Sequence, residues 1–228
     1  MKREFDIALF DGDGTLWDSG DSIFSSLSHA MKVVLKREIR YEQFVGGLTL
    51  EGTFLACMEG ECDPEVLQLL ALTYEKHHYD NPPVIIPYPG VIETMREIKS
   101  AGIKTGIVTT RGLQSLKFIL EHNRMQNQFD VLVTGDSVKN HKPHPEPVMI
   151  ALSAFGIDDP RRVVMVGDTD KDINSAKRAR VMRNGLGQNG VSTVGVTYGH
   201  MQSVEMRKTG ADFYADDFPQ VGSIILGR

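Results

Sequence analysis

Several hallmarks of common protein classes are missing from this chain of 228 residues. It has only two cysteines, Cys57 and Cys62, too few for the disulfide framework of a small secreted domain. We expect both to be reduced, buried residues, with a redox or metal role as the minor alternative. No apolar run approaches the ~20 residues of a membrane-spanning helix, so we expect no membrane association. The first residues show no basic-then-apolar leader, which predicts no signal peptide and a cytoplasmic location.

A concentration of positive charge is also missing. Lysine and arginine number 25 against 30 aspartates and glutamates, which gives a net charge of −5. Because no lysine- or arginine-rich block occurs, we do not expect nucleic acid as a partner. The composition, 41% hydrophobic and 24% charged, is that of a globular chain long enough to bury a sizeable core in one or two domains. The sequence does not determine the oligomeric state, and a homodimer stays open.

What the chain does contain is a regular alternation of short apolar runs and longer helix-patterned stretches. Unbroken Val/Ile/Leu runs are typical of strands that are covered on both faces, as in a parallel sheet. The predicted strands are 6–10, 104–109, 130–135, 162–167 and 192–197, and the predicted helices are 90–101, 112–123, 145–156 and 170–182. This order predicts an α/β fold with a doubly wound parallel sheet.

Residues 19–83 interrupt that alternation because helical periodicity dominates there. The stretch "YDNPPVIIPYPG" at its end carries four prolines and indicates a linker that returns to the sheet. We therefore predict an inserted α-helical cap domain at 19–83 and a Rossmann-like core domain made of 1–18 and 84–228. His77 and His78 end the last predicted cap helix, and we expect both to be solvated.

The segment "GLGQNG" at 185–190 fits the GxGxxG dinucleotide-binding pattern. That pattern binds a cofactor only where a strand ends and a helix begins, because the helix N-terminus faces the pyrophosphate. Here a predicted helix ends and a predicted strand begins. We therefore interpret the segment as a glycine-rich surface loop.

Polar residues follow the ends of four predicted strands, and in a doubly wound sheet these positions converge on one edge. They are Asp11 and Asp13, then Thr109, Thr110 and Arg111, then Lys142, and finally Asp168 and Asp172. Four carboxylates in one place repel each other and need a cation, and all-oxygen ligation suits Mg²⁺. The metal, the lysine and loop amides can then hold a phosphate group. For Arg111 we favour a structural ion pair.

These residues resemble the four motifs of the haloacid dehalogenase-like hydrolase superfamily, in order and at suitable spacing. The matching elements are "DGDGT" at 11–15, the strand-end Thr109, "KPHP" at 142–145 and "GDTDKD" at 167–172. The helical insertion matches the family's α-helical cap, and the chain looks most like the phosphoglycolate phosphatase and β-phosphoglucomutase branch. The resemblance implies a Rossmann-like core with that cap.

The resemblance also implies roles for the first two acids. Asp11 would be the nucleophile that forms an aspartyl-phosphate, and Asp13 the general acid that becomes the base for water. The family's dehalogenases and phosphonate-cleaving members lack an aspartate at the position of Asp13. Its presence here therefore favours phosphoester or phosphoanhydride substrates.

By the same resemblance Mg²⁺ would be held by Asp11, the backbone carbonyl of Asp13 and Asp168. Asp172 would support the metal, through its waters, or the lysine. These four aspartates form the expected metal set, with Mg²⁺ as the expected cofactor.

The resemblance further implies that Thr109 binds phosphoryl oxygens, with Thr110 beside it, and that Lys142 neutralises charge and positions the nucleophile. The cap would select the substrate by closing over the crevice, and Arg40 and Glu51 are the candidate contacts there.

The expected partner is a small phosphorylated metabolite, and the expected activity is phosphatase activity. Phosphoglycolate is the first candidate substrate, followed by sugar phosphates, pyrophosphate and nucleoside monophosphates. Two alternatives stay open: a β-phosphoglucomutase-like isomerase with the same core residues, and a binding module that has lost catalysis. Product analysis would separate the isomerase from the phosphatase, and any measurable turnover would exclude the binding module.

Overall fold

The computed structural model describes residues 4–44, 48–59, 61–81, 85–157, 160–179, 182–183, 186–187 and 190–228. The chain begins with two strands, β1 (Ile7–Phe10) and β2 (Trp17–Asp18). Three helices follow, α1 (Gly20–Leu35), α2 (Leu50–Met58) and α3 (Pro64–Asp80). The remaining elements are β3 (Ile86–Pro87), α4 (Val91–Ser100), β4 (Lys104–Val108), α5 (Leu113–His122), β5 (Val131–Val133), α6 (Glu146–Ala154), β6 (Val163–Gly167), α7 (Asp170–Arg178), β7 (Met182–Arg183), β8 (Leu186–Gly187), β9 (Ser192–Val196), α8 (Ser203–Met206), β10 (Phe213–Ala215) and α9 (Phe218–Leu226).

The centre of the molecule is a six-stranded parallel sheet with the order β10-β9-β6-β1-β4-β5. All four residues of β1 are buried, and their side chains alternate between the two faces of the sheet. Ala8 and Phe10 join a core cluster with residues of α4, α5 and α9. Ile7 and Leu9 join a second cluster with residues of α6 and α7. The predicted doubly wound fold is confirmed, because helices cover both faces of this sheet.

The helices α1, α2 and α3 form the predicted cap and share a separate apolar cluster that includes Leu27, Met31, Phe54 and Leu70. The cap is joined to the sheet by an antiparallel ribbon of β2 and β3. The two strands of this ribbon flank the predicted cap at 19–83, and these domain limits stay a prediction.

Three elements near the C-terminus, α8, β10 and α9, were not predicted. The strand β10 has three residues, too few for a recognisable apolar run, and α9 follows it directly. Helix α7 ends at Arg178, four residues earlier than expected.

The segment "GLGQNG" lies only partly within the described residues. Its Leu186–Gly187 pairs with Met182–Arg183, between the end of α7 and the start of β9. Positions 185, 188 and 189 lie outside the described residues.

Both cysteines are free: Cys57 is buried, whereas Cys62 is half-buried. No helix in the described part of the chain combines the length and the apolar character needed to cross a bilayer.

Candidate active site

A sharp turn follows β1 and places Asp11 at the carboxyl end of the central strand. The Asp11 amide donates to Val166 O of the neighbouring strand at 2.9 Å. Gly14 has a φ of +79°, in the left-handed region that favours glycine, and a side chain there would collide with the Asp168 carboxylate. The turn therefore brings the first and fourth motifs together without a side chain between them.

Lys142 compensates the charge of two of the acids. Its Nζ donates to Asp11 Oδ1 at 2.7 Å, to Asp172 Oδ1 at 2.6 Å and to Val108 O at 3.0 Å. Burial alone would lower the pKa of this ammonium, but the two carboxylates outweigh burial and raise the pKa above its usual range. Lys142 is thus a buried cation held in a fixed position.

Asp11, Asp168 and Asp172 form a buried cluster in which one carboxylate oxygen from each lies within 4.8 Å of the others. Burial, and after it repulsion from Asp172, raises the pKa of Asp168. Burial also raises the pKa of Asp11, and it outweighs the opposing charge of Lys142. The single ammonium of Lys142 therefore leaves this acid cluster short of positive charge. A divalent cation with oxygen ligands would supply it.

Loop donors fix the orientation of two of these carboxylates. Asp168 Oδ2 accepts from the His200 amide at 2.7 Å, and Asp172 Oδ2 accepts from the Thr169 hydroxyl at 2.6 Å and amide at 3.0 Å. The acids are therefore held in one geometry from several directions.

The Asp13 carboxylate points elsewhere. Arg111 binds it in a two-pronged ion pair, with Nη2 at 2.6 Å from Oδ1 and Nε at 2.9 Å from Oδ2, and Trp17 Nε1 donates to Oδ1 at 3.1 Å. Burial alone would raise the pKa of Asp13, but the Arg111 guanidinium outweighs burial and lowers this pKa well below its usual range. The expected ion pair of Arg111 is present, and its partner is the predicted acid–base residue. Among the described residues, the three-acid cluster does not include the Asp13 side chain.

The two threonines after β4 lie at the same edge. Thr109 is buried, and its Oγ1 accepts from the Arg111 amide at 3.1 Å. Thr110 lines a cavity of about 390 Å³ between core and cap, whose floor includes Asp13 and Arg111. This volume falls in the usual range for small-molecule sites.

The cap contributes Glu51 of α2 to this cavity, together with Tyr74 and His78 of α3. Arg40 is exposed, is not among the residues that line the cavity, and uses its amide to donate to Gln43. The expectation that His78 is solvated was wrong, because only 7% of its surface is exposed. His78 lies on the face of α3 that lines the cavity, whereas His77 contacts Ser26 of α1.

Sequence reasoning missed several residues of the site. Nothing in the motifs pointed to His200, which lies 32 positions after Asp168. Tyr74 and His78 are four residues apart on α3, and this spacing was an available signal that they share one helix face.

Comparisons with known proteins agree with the motifs. A family model described as haloacid dehalogenase-like hydrolase matches residues 8–185. Pyrophosphatase PpaX of Bacillus cereus (strain B4264) is 34% identical over 174 residues, which cover 75% of this chain and 78% of that protein. The PpaX of Bacillus pumilus (strain SAFR-032) is 32% identical over 220 residues, which cover 95% of this chain and 94% of that protein.

Solved structures show the same fold. A protein of Bacteroides fragilis described as a haloacid dehalogenase-like hydrolase is 26% identical, with a TM-score of 0.84 over 95% of this chain and 99% of that one. A predicted phosphoglycolate phosphatase from Haemophilus somnus 129pt is 24% identical, with a TM-score of 0.80 over 97% of this chain and 98% of that one. On the strength of the family model and the PpaX relatives, the chain belongs to the haloacid dehalogenase-like hydrolase family and is an enzyme of the hydrolase class.

Proposed function

We propose that this protein is a Mg²⁺-dependent phosphatase that hydrolyses a small phosphorylated metabolite through an aspartyl-phosphate on Asp11. The observation that carries the proposal is the buried cluster of Asp11, Asp168 and Asp172 with Lys142 on two of its oxygens. The names of the relatives, a pyrophosphatase and a phosphoglycolate phosphatase, support phosphoryl chemistry.

The donor set fits a magnesium ion. The cluster offers only hard oxygen ligands, is short of positive charge, and is held by fixed hydrogen bonds. Asp11 and Asp168 would hold the ion, helped by Asp172 and by the backbone carbonyl of Asp13. When bound, the ion would offset the negative charge of the phosphoryl oxygens.

Asp11 is suited to attack phosphorus. Lys142 binds its Oδ1, so Oδ2 would be the oxygen that attacks. Attack forms the bond from Asp11 to phosphorus and breaks the bond to the leaving oxygen, and water then hydrolyses the aspartyl-phosphate. Thr109 would donate its hydroxyl to a phosphoryl oxygen.

Asp13 would give its proton to the leaving oxygen and later take one from water. The contact with Arg111 keeps Asp13 ionised, which suits the second half of the cycle. For the first half this ion pair has to loosen, and a phosphate that enters beside Arg111 would compete for the guanidinium.

Phosphate release is the decisive measurement. We expect Mg²⁺-dependent release from small phosphate esters that EDTA abolishes, and a loss of about 10³-fold or more in Asp11→Asn. Asp6→Asn is the control, because Asp6 lies at the opposite end of β1 and pairs with Arg162.

A panel with phosphoglycolate, pyrophosphate, nucleoside monophosphates and sugar phosphates would then rank substrates. Isomerised sugar phosphate without net phosphate release would indicate a mutase instead. Metal-independent release, or an active Asp11→Asn variant, would contradict the proposal.

A further inference from the structure

One face of α3 forms a wall of the cavity. Tyr74 and Glu75, followed four residues later by His78 and Tyr79, line the side opposite Asp13 and Arg111. Residues three or four apart on a helix share a face, so the docking of α3 places all four against the same space. We call these four residues the α3 wall.

His78 is the unusual member of the α3 wall. Its side chain is buried, and its Nδ1 is enclosed without a hydrogen-bond partner. Its ring stacks on Tyr74 with centroids 5.7 Å apart and meets the edge of Tyr79 at 6.1 Å. Buried polar atoms in folded proteins almost always have a partner, so an unpaired nitrogen on a residue that lines the cavity points to a ligand for this imidazole.

The protonation states of the wall suit uncharged recognition. Burial, and after it the charge of Arg111, lowers the pKa of His78 to about 4, so the imidazole is neutral near pH 7. Burial likewise raises the pKa of Tyr74 to about 12. Both side chains therefore offer neutral hydrogen-bonding groups.

The charges around the cavity oppose an anionic leaving group. Arg111 is the only lysine or arginine among the described residues that line it, and both of its prongs bind Asp13. Glu51 and Glu75 add negative charge on the cap side. Once the transferred phosphate has engaged Arg111, a carboxylate or a second phosphate in the leaving group would face these acids without a cation of its own.

We propose that His78 determines specificity by hydrogen-bonding the leaving group of the substrate, and that this leaving group is uncharged and carries a hydroxyl. The inference rests on the proposed phosphatase function. It predicts a preference for phosphate esters of small polar alcohols over phosphoglycolate and pyrophosphate.

Three esters with a two-carbon leaving group isolate this contact. Ethyl phosphate, 2-hydroxyethyl phosphate and phosphoglycolate end in CH₃, CH₂OH and COO⁻. For the wild type we expect kcat/KM to be highest on 2-hydroxyethyl phosphate, by about tenfold, the size of one hydrogen bond. His78→Phe should lose that advantage mainly through KM and leave ethyl phosphate within about twofold, whereas His78→Gln should keep most of it.

His77→Gln is the matched control. His77 is the neighbouring residue, but it bonds Ser26 and stacks on His29 at 4.2 Å instead of lining the cavity. We expect this variant to retain the wild-type ranking of the three esters.

Several results would overturn the inference while leaving the phosphatase intact. An equal loss on ethyl and 2-hydroxyethyl phosphate in His78→Phe would indicate a packing role. A wild-type preference for phosphoglycolate would show that the leaving group is anionic. If neither these esters nor p-nitrophenyl phosphate released phosphate with Mg²⁺, the proposed function itself would fail, and the inference with it.

Discussion

The strand-end cluster of the core and the α3 wall of the cap are built differently. In the core, Lys142 donates to both Asp11 and Asp172, with contacts of 2.6–2.7 Å. In the cap, His78 has an enclosed nitrogen without a partner, and Glu51 and Glu75 are exposed. The core cluster is therefore held by its own ion pairs, whereas the α3 wall keeps an unpaired nitrogen.

This difference separates chemistry from selection. The core residues are held by one another at the ends of parallel strands, so their geometry does not depend on which ester enters. The cap residues of the cavity lie on helix faces, and the cap is linked to the core by the β2–β3 ribbon. Damage to the core should therefore affect every substrate, and damage to the cap should change the ranking among substrates.

The largest graded effect is expected at Asp13, a core residue that lines the same cavity as the α3 wall. Asp13→Asn removes the acid–base group, so alcohol leaving groups that need a proton should slow by about 10²–10⁴-fold. An activated nitrophenolate needs little protonation and should slow by less than about tenfold. The ratio of kcat values on the two substrate types measures this, and equal losses would count against the acid role.

Lys142 tests how strongly the core depends on its one ammonium. Lys142→Met leaves Asp11 and Asp172 buried without their cation and should cost about 3–5 kcal/mol of unfolding free energy. Lys32→Met is the control, because its pair with Glu38 is exposed and worth at most about 1 kcal/mol. Urea unfolding at pH 8 in EDTA compares the two variants. Similar losses of unfolding free energy would mean that the buried ion pairs of Lys142 stabilise the protein no more than an exposed pair does.

The sequence was sufficient to predict which core residues converge, because one rule of sheet topology decides this. Carboxyl ends of parallel strands share an edge, so Asp11, Lys142 and Asp168 had to converge once the strands were recognised. The direction of the Asp13 side chain was not available from that rule. It depends on a glycine turn and on Arg111, 98 positions away.

The cap was harder to predict for a physical reason. Helical periodicity shows that a face exists but not what it docks against, so His78 was expected in solvent and is buried instead. Likewise Arg40 and Glu51 looked equivalent as cap charges, yet only Glu51 lines the cavity.

The pH dependence of stability gives a smaller effect that is specific to the core. Asp11 and Asp168 have folded-state pKa values above their ordinary range, so their protonated forms favour the folded protein. That stability is complete below about pH 4 and is lost as the pH rises through the raised values. In EDTA we expect a loss of about 1–2 kcal/mol between pH 5 and pH 8.

Magnesium should reduce that loss because it favours the ionised carboxylates. Asp168→Asn removes one of the two groups and should flatten the profile in EDTA. Thermal unfolding across pH, with and without Mg²⁺, measures both effects. A profile that is identical in wild type and Asp168→Asn would show that these carboxyls are not the source.

The smallest effect is expected from the two cap charges, and it bears directly on the separation of chemistry from selection. Glu51→Gln changes the charge of the cavity, so KM should shift about two- to fivefold and phosphoglycolate should improve relative to 2-hydroxyethyl phosphate. Arg40→Ala alters an exposed side chain outside the lining and should leave both KM values within about twofold. Steady-state kinetics on the two esters measure the difference. A larger effect from Arg40 than from Glu51 would mean that the cap closes further during turnover and brings a different face over the crevice.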